Sequence, residues 1–332
     1  MIRVAVIGAG SWGTTFAKVL ADGGNQVTLW ARREEIADEI NSLHRNADYL
    51  PGIKLPENLV ASPDIAATLD GAQQIYLSVP SQSLRQNLNQ WGNLLEKDAI
   101  LISLMKGVEQ DTGLRMSEVI AQETSFSSDR IAVISGPNLA LEIAREEPTA
   151  SVASSSSLAT AMAVAATSSN EYFTAFTNQD VIGTEFGGIL KNLIAVAIGI
   201  VNGVGYGENT KASIMTRGLA EISRFAVAYG AQDGTMIGLA GLGDLIATCE
   251  SPLSRNHKAG EMLGRGYSKR EVLKQMSQTA EGLSSAAPVL QLAAAKGVEM
   301  PIVEQVLAVL EGRMDPKDIA PHLTNSDKPQ GE

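Results

Sequence analysis

A glycine-rich turn near the start of this 332-residue chain has the residue types and the spacing to hold a diphosphate. It reads Gly8-Ala9-Gly10-Ser11-Trp12-Gly13 and directly follows a short apolar run. Gly8 allows a tight turn, Gly10 allows the backbone to approach a diphosphate, and Gly13 allows a helix to pack on a strand. The N–H groups at the start of the next helix would then hold the phosphates. The turn therefore predicts a dinucleotide site, with a purely structural turn as the alternative.

The residues after the second apolar run indicate which dinucleotide binds. An Asp or Glu at this position usually binds the ribose 2′-hydroxyl of NAD. Here the run Val27–Trp30 is followed by Arg32 and Arg33, with no acid before Glu34. Arginine can bind a 2′-phosphate through two parallel hydrogen bonds. We therefore predict a preference for NADP(H), with NAD(H) also usable, and place both arginines near the adenosine phosphate; the alternative is two solvated charges before a helix.

Short runs rich in β-branched residues alternate with helical patterns through the first half of the chain. This alternation predicts βαβ units and a Rossmann-like, doubly wound, mainly parallel sheet. The predicted strands are 2–7, 26–30, 74–78, 99–104, 131–134, 150–153 and 172–177, and the predicted helices between them are 12–21, 34–43, 84–95, 114–122 and 157–167. Segment 44–56 is predicted to be an irregular loop.

After about Asp180 the strand pattern disappears and long helical patterns follow. The predicted helices are 182–201, 210–229, 256–263, 269–276, 283–295 and 302–310, several of them ending at a glycine, namely Gly203, Gly230, Gly264 or Gly297. We therefore predict a dinucleotide-binding domain over residues 1–179, an all-helical substrate-binding domain over 180–323 and a disordered tail over 324–332. Ligands of a doubly wound sheet bind beyond the carboxyl ends of its strands.

Composition and charge exclude several classes of protein. The formal net charge of -11 argues against a nucleic-acid partner, because phosphate backbones require a basic surface. The longest apolar stretch, 193–201, is shorter than the roughly 20 residues that span a bilayer, so it predicts a buried helix and no membrane insertion. The single cysteine, Cys249, is predicted to be a buried packing thiol and fits a reducing cytoplasm. The histidines, His44, His257 and His322, lack metal-ligand spacing, so no metal is predicted.

A series of spaced motifs makes the chain resemble bacterial NAD(P)-dependent glycerol-3-phosphate dehydrogenase over nearly its whole length, to about Leu323. Beyond the glycine turn, the motifs are Ser103-Leu104-Met105-Lys106-Gly107, Ser135-Gly136-Pro137-Asn138 with Ala140, Gly187-Gly188-Ile189-Leu190-Lys191-Asn192, Gly241-Leu242-Gly243-Asp244-Leu245, Ser254-Arg255-Asn256 and Glu281-Gly282. Several motifs in the right order are far more specific than any one of them. The resemblance implies an oxidoreductase that interconverts dihydroxyacetone phosphate and sn-glycerol 3-phosphate for phospholipid synthesis.

The resemblance also implies roles for individual residues. It makes Lys191 the catalytic acid/base. The residues that it places against glycerol phosphate are Lys106, Gly136, Asn138, Asp244, Ser254, Arg255 and Asn256. The residues that it places near the cofactor are Ser11, Trp12, Arg32, Lys106, Ala140, Arg255, Thr279 and Glu281. They add to the glycines of the turn and Arg33, which the residue pattern already places there.

The implied reaction agrees with these roles. Hydride transfer to a ketone builds negative charge on the oxygen, so a proton donor is needed beside that oxygen. Lys191 falls within an apolar helical pattern, where loss of solvation favours the neutral amine, and Asp244 is expected to orient the ammonium. The alternative is a Lys191 side chain that reaches the surface from a core helix.

Residue types also support two of the implied ligand sites. Lys106 lies where a strand runs into a loop, at the edge where this fold places ligands; the alternative is a solvated loop cation. Ser254 at a predicted helix start, the exposed N–H groups there and the fork of Arg255 suit a phosphate dianion; the alternative is a helix cap beside a surface arginine.

Two other functions fit the same outline. A β-hydroxyacid or 6-phosphogluconate type dehydrogenase would have a similar architecture, but Ser254-Arg255-Asn256 and the lack of an arginine cluster beside Lys191 favour a phosphate ester. A non-catalytic NADP-sensing regulator would share the first domain only, and the presence of both Lys191 and Asp244 argues against it. The expected partner is a small-molecule substrate; a homodimer is compatible with the sequence, which does not fix the oligomeric state.

Overall fold

The computed structural model describes residues 2–276, 280 and 282–320. Contacts between residues divide the chain into two compact units, the first ending at Glu185 and the second beginning at Phe186. The predicted domain boundary near residue 180 and the predicted tail stay predictions, and the tail lies outside the described residues.

The first unit is built on an eight-stranded sheet. Its strands are β1 (Arg3–Ile7), β2 (Gln26–Trp30), β3 (Leu59–Ser62), β4 (Gln74–Leu77), β5 (Ile100–Ser103), β6 (Ile131–Ser135), β7 (Thr149–Ser154) and β8 (Phe173–Asn178), in the order β3-β2-β1-β4-β5-β6-β7-β8. Only β6 and β7 pair antiparallel. This confirms the predicted fold class, while β3 was missed because it is a four-residue strand at the sheet edge whose Val60 is half exposed.

Helices cover both faces of this sheet. They are α1 (Ser11–Asp22), α2 (Glu34–Leu43), α3 (Ile65–Leu69), α4 (Leu84–Trp91), α5 (Met116–Thr124), α6 (Ala140–Ala144) and α7 (Leu158–Ser168). The alternation of side chains along β1 explains the layering: Val4 and Val6 pack in one buried cluster with α1, whereas Ala5 and Ile7 pack in another with α4 and α5. Burying each Leu or Ile in these clusters contributes about 1.5–3 kcal/mol.

Helices make up the second unit, and the first of them begins in the first unit. They are α8 (Val181–Val204), α9 (Glu208–Ala228), α10 (Asp233–Met236), α11 (Asp244–Glu250), α12 (Arg255–Gly264), α13 (Lys269–Gln275), α14 (Gly282–Ala295) and α15 (Pro301–Leu310). No strand occurs in the part of this unit that the structure describes. In the described chain α8 alone has the length and hydropathy of a membrane span, and 83% of its most apolar window is buried in the protein. The prediction of a buried helix over 193–201 is confirmed.

Glycines bring α8 and α12 into close contact. A Cβ atom added to Gly199 would lie 2.2 Å from the His257 carbonyl oxygen, and one added to Gly203 would lie 2.2 Å from that of Glu261. On the other helix, a Cβ on Gly260 would lie 2.2 Å from the Val196 carbonyl oxygen. The prediction that a helix ends before Gly203 is therefore wrong, because α8 continues through this glycine and uses it to approach α12.

Candidate active site

The glycine turn lies where the strand order of the sheet changes direction. β1 pairs with β2 on one side and with β4 on the other. Gly8 has φ of +117°, and a Cβ added there would lie 2.5 Å from the Ser78 carbonyl oxygen, just beyond β4. A Cβ on Gly13 would lie 1.9 Å from the Gly8 carbonyl oxygen, whereas one on Gly10 would meet nothing within 4 Å. Gly8 and Gly13 thus permit close packing, and the backbone at Gly10 borders open space.

The start of α1 has the properties of an anion site. Gly10 is its N-cap, no side chain caps the helix, and its first turn contains no acid, so the positive end of the dipole meets no carboxylate there. Ser11 Oγ donates a hydrogen bond to the Tyr49 carbonyl oxygen at 2.8 Å. Trp12 Nε1 donates to the Leu104 carbonyl oxygen at 3.2 Å. The side-chain donors of these two residues, predicted to lie near the cofactor, are thus used within the protein, and the uncapped start of α1 is what suits a diphosphate.

The two arginines after β2 differ in their surroundings. Arg32 is exposed and forms no ion pair with any described residue. Arg33 lies with Nη2 3.1 Å from Asp48 Oδ2, and its guanidinium lies over the Tyr49 ring. The hydrogen bond that Arg33 donates to this carboxylate raises the pKa of Arg33 above its ordinary value. Of these two arginines, Arg32 alone lacks a carboxylate partner among the residues that the structure describes.

The segment 44–56, predicted only as a loop, contributes a residue that was missed. Asn46 is fully buried, and its Nδ2 donates to the Ala9 carbonyl oxygen at 3.0 Å and to Thr14 Oγ1 at 2.9 Å. It therefore fixes this segment against the glycine turn. Its partners lie more than 30 positions away in sequence, and no local pattern indicates such a contact.

The motifs after β5 and β6 come together because these strands are parallel neighbours. Lys106 Nζ donates to the Gly136 carbonyl oxygen at 3.0 Å. Gly136 has φ of +149°, and its Cβ would lie 3.0 Å from Ser151 Oγ. Both amide atoms of Asn138 are buried without a hydrogen-bond partner among the described residues. Ala140 begins α6, and its carbonyl oxygen accepts a hydrogen bond from Thr15 Oγ1 at 3.2 Å.

An orphaned amide such as that of Asn138 is costly unless a ligand or a water satisfies it. Together with the open space at Gly10, it indicates that the residues present fit a cofactor and a polar substrate.

In the second unit Lys191 is buried in α8 and forms an ion pair with Asp244 Oδ1. Its Nζ also donates to Thr248 Oγ1 at 2.6 Å, and that hydroxyl donates to the Asp244 carbonyl oxygen at 2.7 Å. Asp244 begins α11 directly after a π-helical segment, Leu239–Gly243, and Thr248 follows one turn later. Lys191 therefore does not reach the surface, and Thr248 is a site residue that the sequence reasoning missed.

The Ser254-Arg255-Asn256 motif forms the start of α12. Ser254 Oγ accepts a hydrogen bond from the His257 N–H at 3.2 Å, which is the predicted cap, and Arg255 is exposed. Asn256 Nδ2 donates to Asn192 Oδ1 at 2.8 Å, and its Oδ1 accepts from the Gly282 N–H at 3.0 Å. The Asn256 amide thus joins three helices, so its oxygen is occupied within the protein.

Thr279 and Glu281, predicted near the cofactor, lie outside the described residues, as does His322. No group of His, Cys, Asp or Glu able to hold a metal ion occurs among the described residues. Cys249 is buried, and burial raises the pKa of its thiol well above the usual range, which suits a packing residue.

A glycine turn at the switch point of a doubly wound sheet, followed by a helical unit with a buried Lys–Asp pair, defines a two-unit nicotinamide-dependent dehydrogenase. Family models for the N-terminus and the C-terminus of NAD-dependent glycerol-3-phosphate dehydrogenase match residues 3–161 and 180–321. The chain belongs to this family.

Individual relatives are similar to this chain over nearly its whole length. A glycerol-3-phosphate dehydrogenase [NAD(P)+] from Leifsonia xyli is 66% identical over 98% of this chain and 89% of its own length. Among solved structures, the glycerol-3-phosphate dehydrogenase of Coxiella burnetii has a TM-score of 0.92 at 36% identity and covers 98% of this chain and 99% of its own. That of Saccharomyces cerevisiae has a TM-score of 0.86 at 29% identity, with the same coverage of 98% and 99%.

Proposed function

We propose that this chain catalyses reversible hydride transfer between NAD(P)H and dihydroxyacetone phosphate, giving sn-glycerol 3-phosphate for phospholipid synthesis. The observation that carries the proposal is the buried Lys191 ammonium, held by Asp244 and Thr248. Burying an ammonium group costs desolvation free energy, and such groups are found more often at functional sites. In a family of dehydrogenases, a buried lysine fits the role of proton donor. Family membership supports the substrate, and it disfavours both a β-hydroxyacid substrate and a non-catalytic regulator.

The chemistry divides between the cofactor and the protein. When bound, the nicotinamide supplies or accepts the hydride. Gly8, Gly10 and Gly13 and the N–H groups at the start of α1 hold the diphosphate, with Ser11, Trp12 and Ala140 beside it. Thr279 and Glu281 are proposed cofactor contacts by resemblance only.

Lys191 stabilises the charge that grows on the substrate oxygen and donates a proton to it, and in the reverse direction it accepts the proton. Asp244 and Thr248 orient the ammonium through its hydrogen bonds. Because the Asp244 carboxylate is buried beside it, the ammonium is held in one direction before substrate binds. Lys106, Gly136 and Asn138 provide donors and acceptors for the polar groups of the three-carbon substrate.

The phosphate of the substrate is held at the start of α12. The N–H groups there, the Arg255 guanidinium and the positive end of the helix dipole suit a doubly charged group. Ser254 and Asn256 shape this turn, since both use hydrogen bonds within the protein. Local cations of this kind let a protein with net charge -11 bind a dianion.

A preference for NADP(H) over NAD(H) follows from Arg32 and Arg33 and from the lack of an acid at the end of β2. Arg32, exposed and without a carboxylate partner among the described residues, is the stronger candidate for the 2′-phosphate. Comparing kcat/KM for NADPH and NADH in the wild type, Arg32→Ala and Arg33→Ala tests this preference. Equal use of both cofactors by the wild type would exclude it.

The activity is tested by following loss of NADPH absorbance with dihydroxyacetone phosphate. Unphosphorylated dihydroxyacetone is the matched control for the phosphate site, and NADH for the cofactor. Rapid turnover of the phosphorylated substrate alone is expected; no turnover of it at any concentration would reject the proposal. We also propose a cytoplasmic location, testable by fractionation, and a homodimer, testable by light scattering.

A further inference from the structure

The end of β2 has no acid of its own before Glu34, but the carboxylate of Asp48, from the 44–56 segment, lies beside Arg33 there. Asp48 Oδ2 lies 3.1 Å from Nη2 of Arg33. The ring of the next residue, Tyr49, lies beneath the same guanidinium, with its centroid 5.8 Å from the Arg33 Cζ atom. Arg33 is thus held by two consecutive residues of the 44–56 segment.

The position of Asp48 is fixed relative to the glycine turn. Asn46, two residues before it, donates to the Ala9 carbonyl oxygen, and the Tyr49 carbonyl oxygen accepts from Ser11 Oγ. Hydrogen bonds on both sides therefore place this carboxylate beside the site in which the dinucleotide is proposed to bind.

We infer that Asp48 sets the cofactor selectivity of the enzyme by holding Arg33 away from the 2′-phosphate of NADP(H). This inference rests on the proposed use of NAD(P)(H). A 2′-phosphate must compete with the Asp48 carboxylate for Arg33, and it is also repelled by that carboxylate. The 2′-hydroxyl of NAD(H) is uncharged, so it neither depends on Arg33 nor is repelled by Asp48. Asp48 therefore weakens the binding of NADP(H) and not that of NAD(H), so both cofactors remain usable. Arg32 still provides part of the affinity for the 2′-phosphate.

The test is the isosteric variant Asp48→Asn, which removes the charge and leaves the shape of the segment. It is expected to raise kcat/KM for NADPH by up to about fivefold, the range of an exposed ion pair, and to leave that for NADH unchanged. The gain should shrink at high salt, because exposed charges are screened. A purely structural role of Asp48 would alter both cofactors together.

Two further variants isolate the mechanism. Glu39→Gln removes the charge of a carboxylate that accepts hydrogen bonds from Arg45 Nε at 2.9 Å and from the Ala47 N–H at 3.3 Å. Its amide oxygen can still accept a hydrogen bond from the same segment, so this variant controls for the loss of a nearby charge itself. In an Arg33→Ala background Asp48→Asn should give only the small remaining gain from repulsion. A gain equal to that of Glu39→Gln, or a full gain without Arg33, would overturn the inference.

Failure of the proposed activity would be distinguishable from failure of this inference. Equilibrium titration of NADPH and NADH by nicotinamide fluorescence measures the same selectivity without turnover. If binding of NADPH tightens in Asp48→Asn although dihydroxyacetone phosphate is not reduced, the selectivity inference stands and the proposed reaction fails. If binding of neither cofactor changes, the inference fails whatever the reaction.

Discussion

Lys191 and Asp244 form a buried ion pair across 53 positions of sequence, and Thr248 shares the same ammonium. Lys191 is 7% exposed and Asp244 is fully buried. Such a pair contributes little net stability, since burying two charges costs much of what their attraction contributes. Its value lies in presenting one proton donor in a fixed direction.

Lys191→Ala is expected to lower kcat by at least about 10³-fold, because a positioned acid/base contributes this order of magnitude. The affinity for NADPH, measured by fluorescence titration, should stay unchanged. Near-normal turnover would remove Lys191 from the mechanism.

Folding must be controlled in this experiment, since Lys191→Ala removes the ion-pair partner of a buried carboxylate. The double variant Lys191→Ala, Asp244→Asn removes both charges. It is expected to unfold at a higher denaturant concentration than Lys191→Ala, yet to remain inactive. Recovery of activity together with stability would mean that Lys191 acts only through the fold.

Arg255→Ala is expected to raise KM for dihydroxyacetone phosphate much more than that for unphosphorylated dihydroxyacetone. The loss of a charge-assisted pair to a phosphate costs about 1.5–3 kcal/mol, or roughly tenfold to a hundredfold. Arg265→Ala removes an exposed cation at the other end of α12, where it pairs with Glu261, and should change neither constant. An equal loss for both ketones would contradict a phosphate role for Arg255.

A second buried ion pair joins Glu185, in the second turn of α8, to the start of α5. The Glu185 carboxylate accepts hydrogen bonds from Arg115 Nη1 at 2.5 Å, from Ser117 Oγ at 2.5 Å and from the Ser117 N–H at 2.9 Å. Its side chain is 3% exposed. Arg115 also pairs with Glu118, whose side chain is 42% exposed.

Glu185→Gln is expected to lower the free energy of unfolding by about 3 kcal/mol, since it leaves Arg115 without its buried carboxylate. Glu118→Gln removes an exposed carboxylate from the same arginine and should cost less than about 1 kcal/mol. Urea denaturation of both variants measures the difference. Equal losses would show that burial does not distinguish the two pairs.

Short-range features could be predicted from the sequence, and contacts between distant segments could not. β1, the glycine turn and α1 follow one another directly, so local spacing indicates all three. Asn46 contacts Ala9, and Asp48 pairs with Arg33, because the loop folds back on the glycine turn. The periodicity of the sequence does not indicate where a loop folds back. Lys191 was located by resemblance, whereas Thr248 could have been found from its position one helical turn after Asp244.

A buried carboxylate in α9 makes stability depend on pH. Glu221 is 1% exposed, and its two oxygens accept hydrogen bonds from the Ile302 and Val303 N–H groups at 3.0 and 3.2 Å, in the first turn of α15. Burial raises its pKa to about 7, although these two N–H groups oppose the rise. Between the ordinary carboxyl pKa and about 7, the folded chain therefore holds a proton that the unfolded chain has released.

The free energy of unfolding should consequently fall as pH rises from about 4.5 to about 7 and then level off, because the unfolded chain binds fewer protons over this window. The contribution is up to about 3 kcal/mol, at about 1.4 kcal/mol for each pKa unit. Glu221→Gln, which cannot ionise and can still accept from α15, should lose this component of the pH dependence. Glu208→Gln, an exposed change at the start of α9, should retain it. Parallel pH profiles for wild type and Glu221→Gln, measured by urea denaturation, would mean that Glu221 ionises in the folded protein as it does in water.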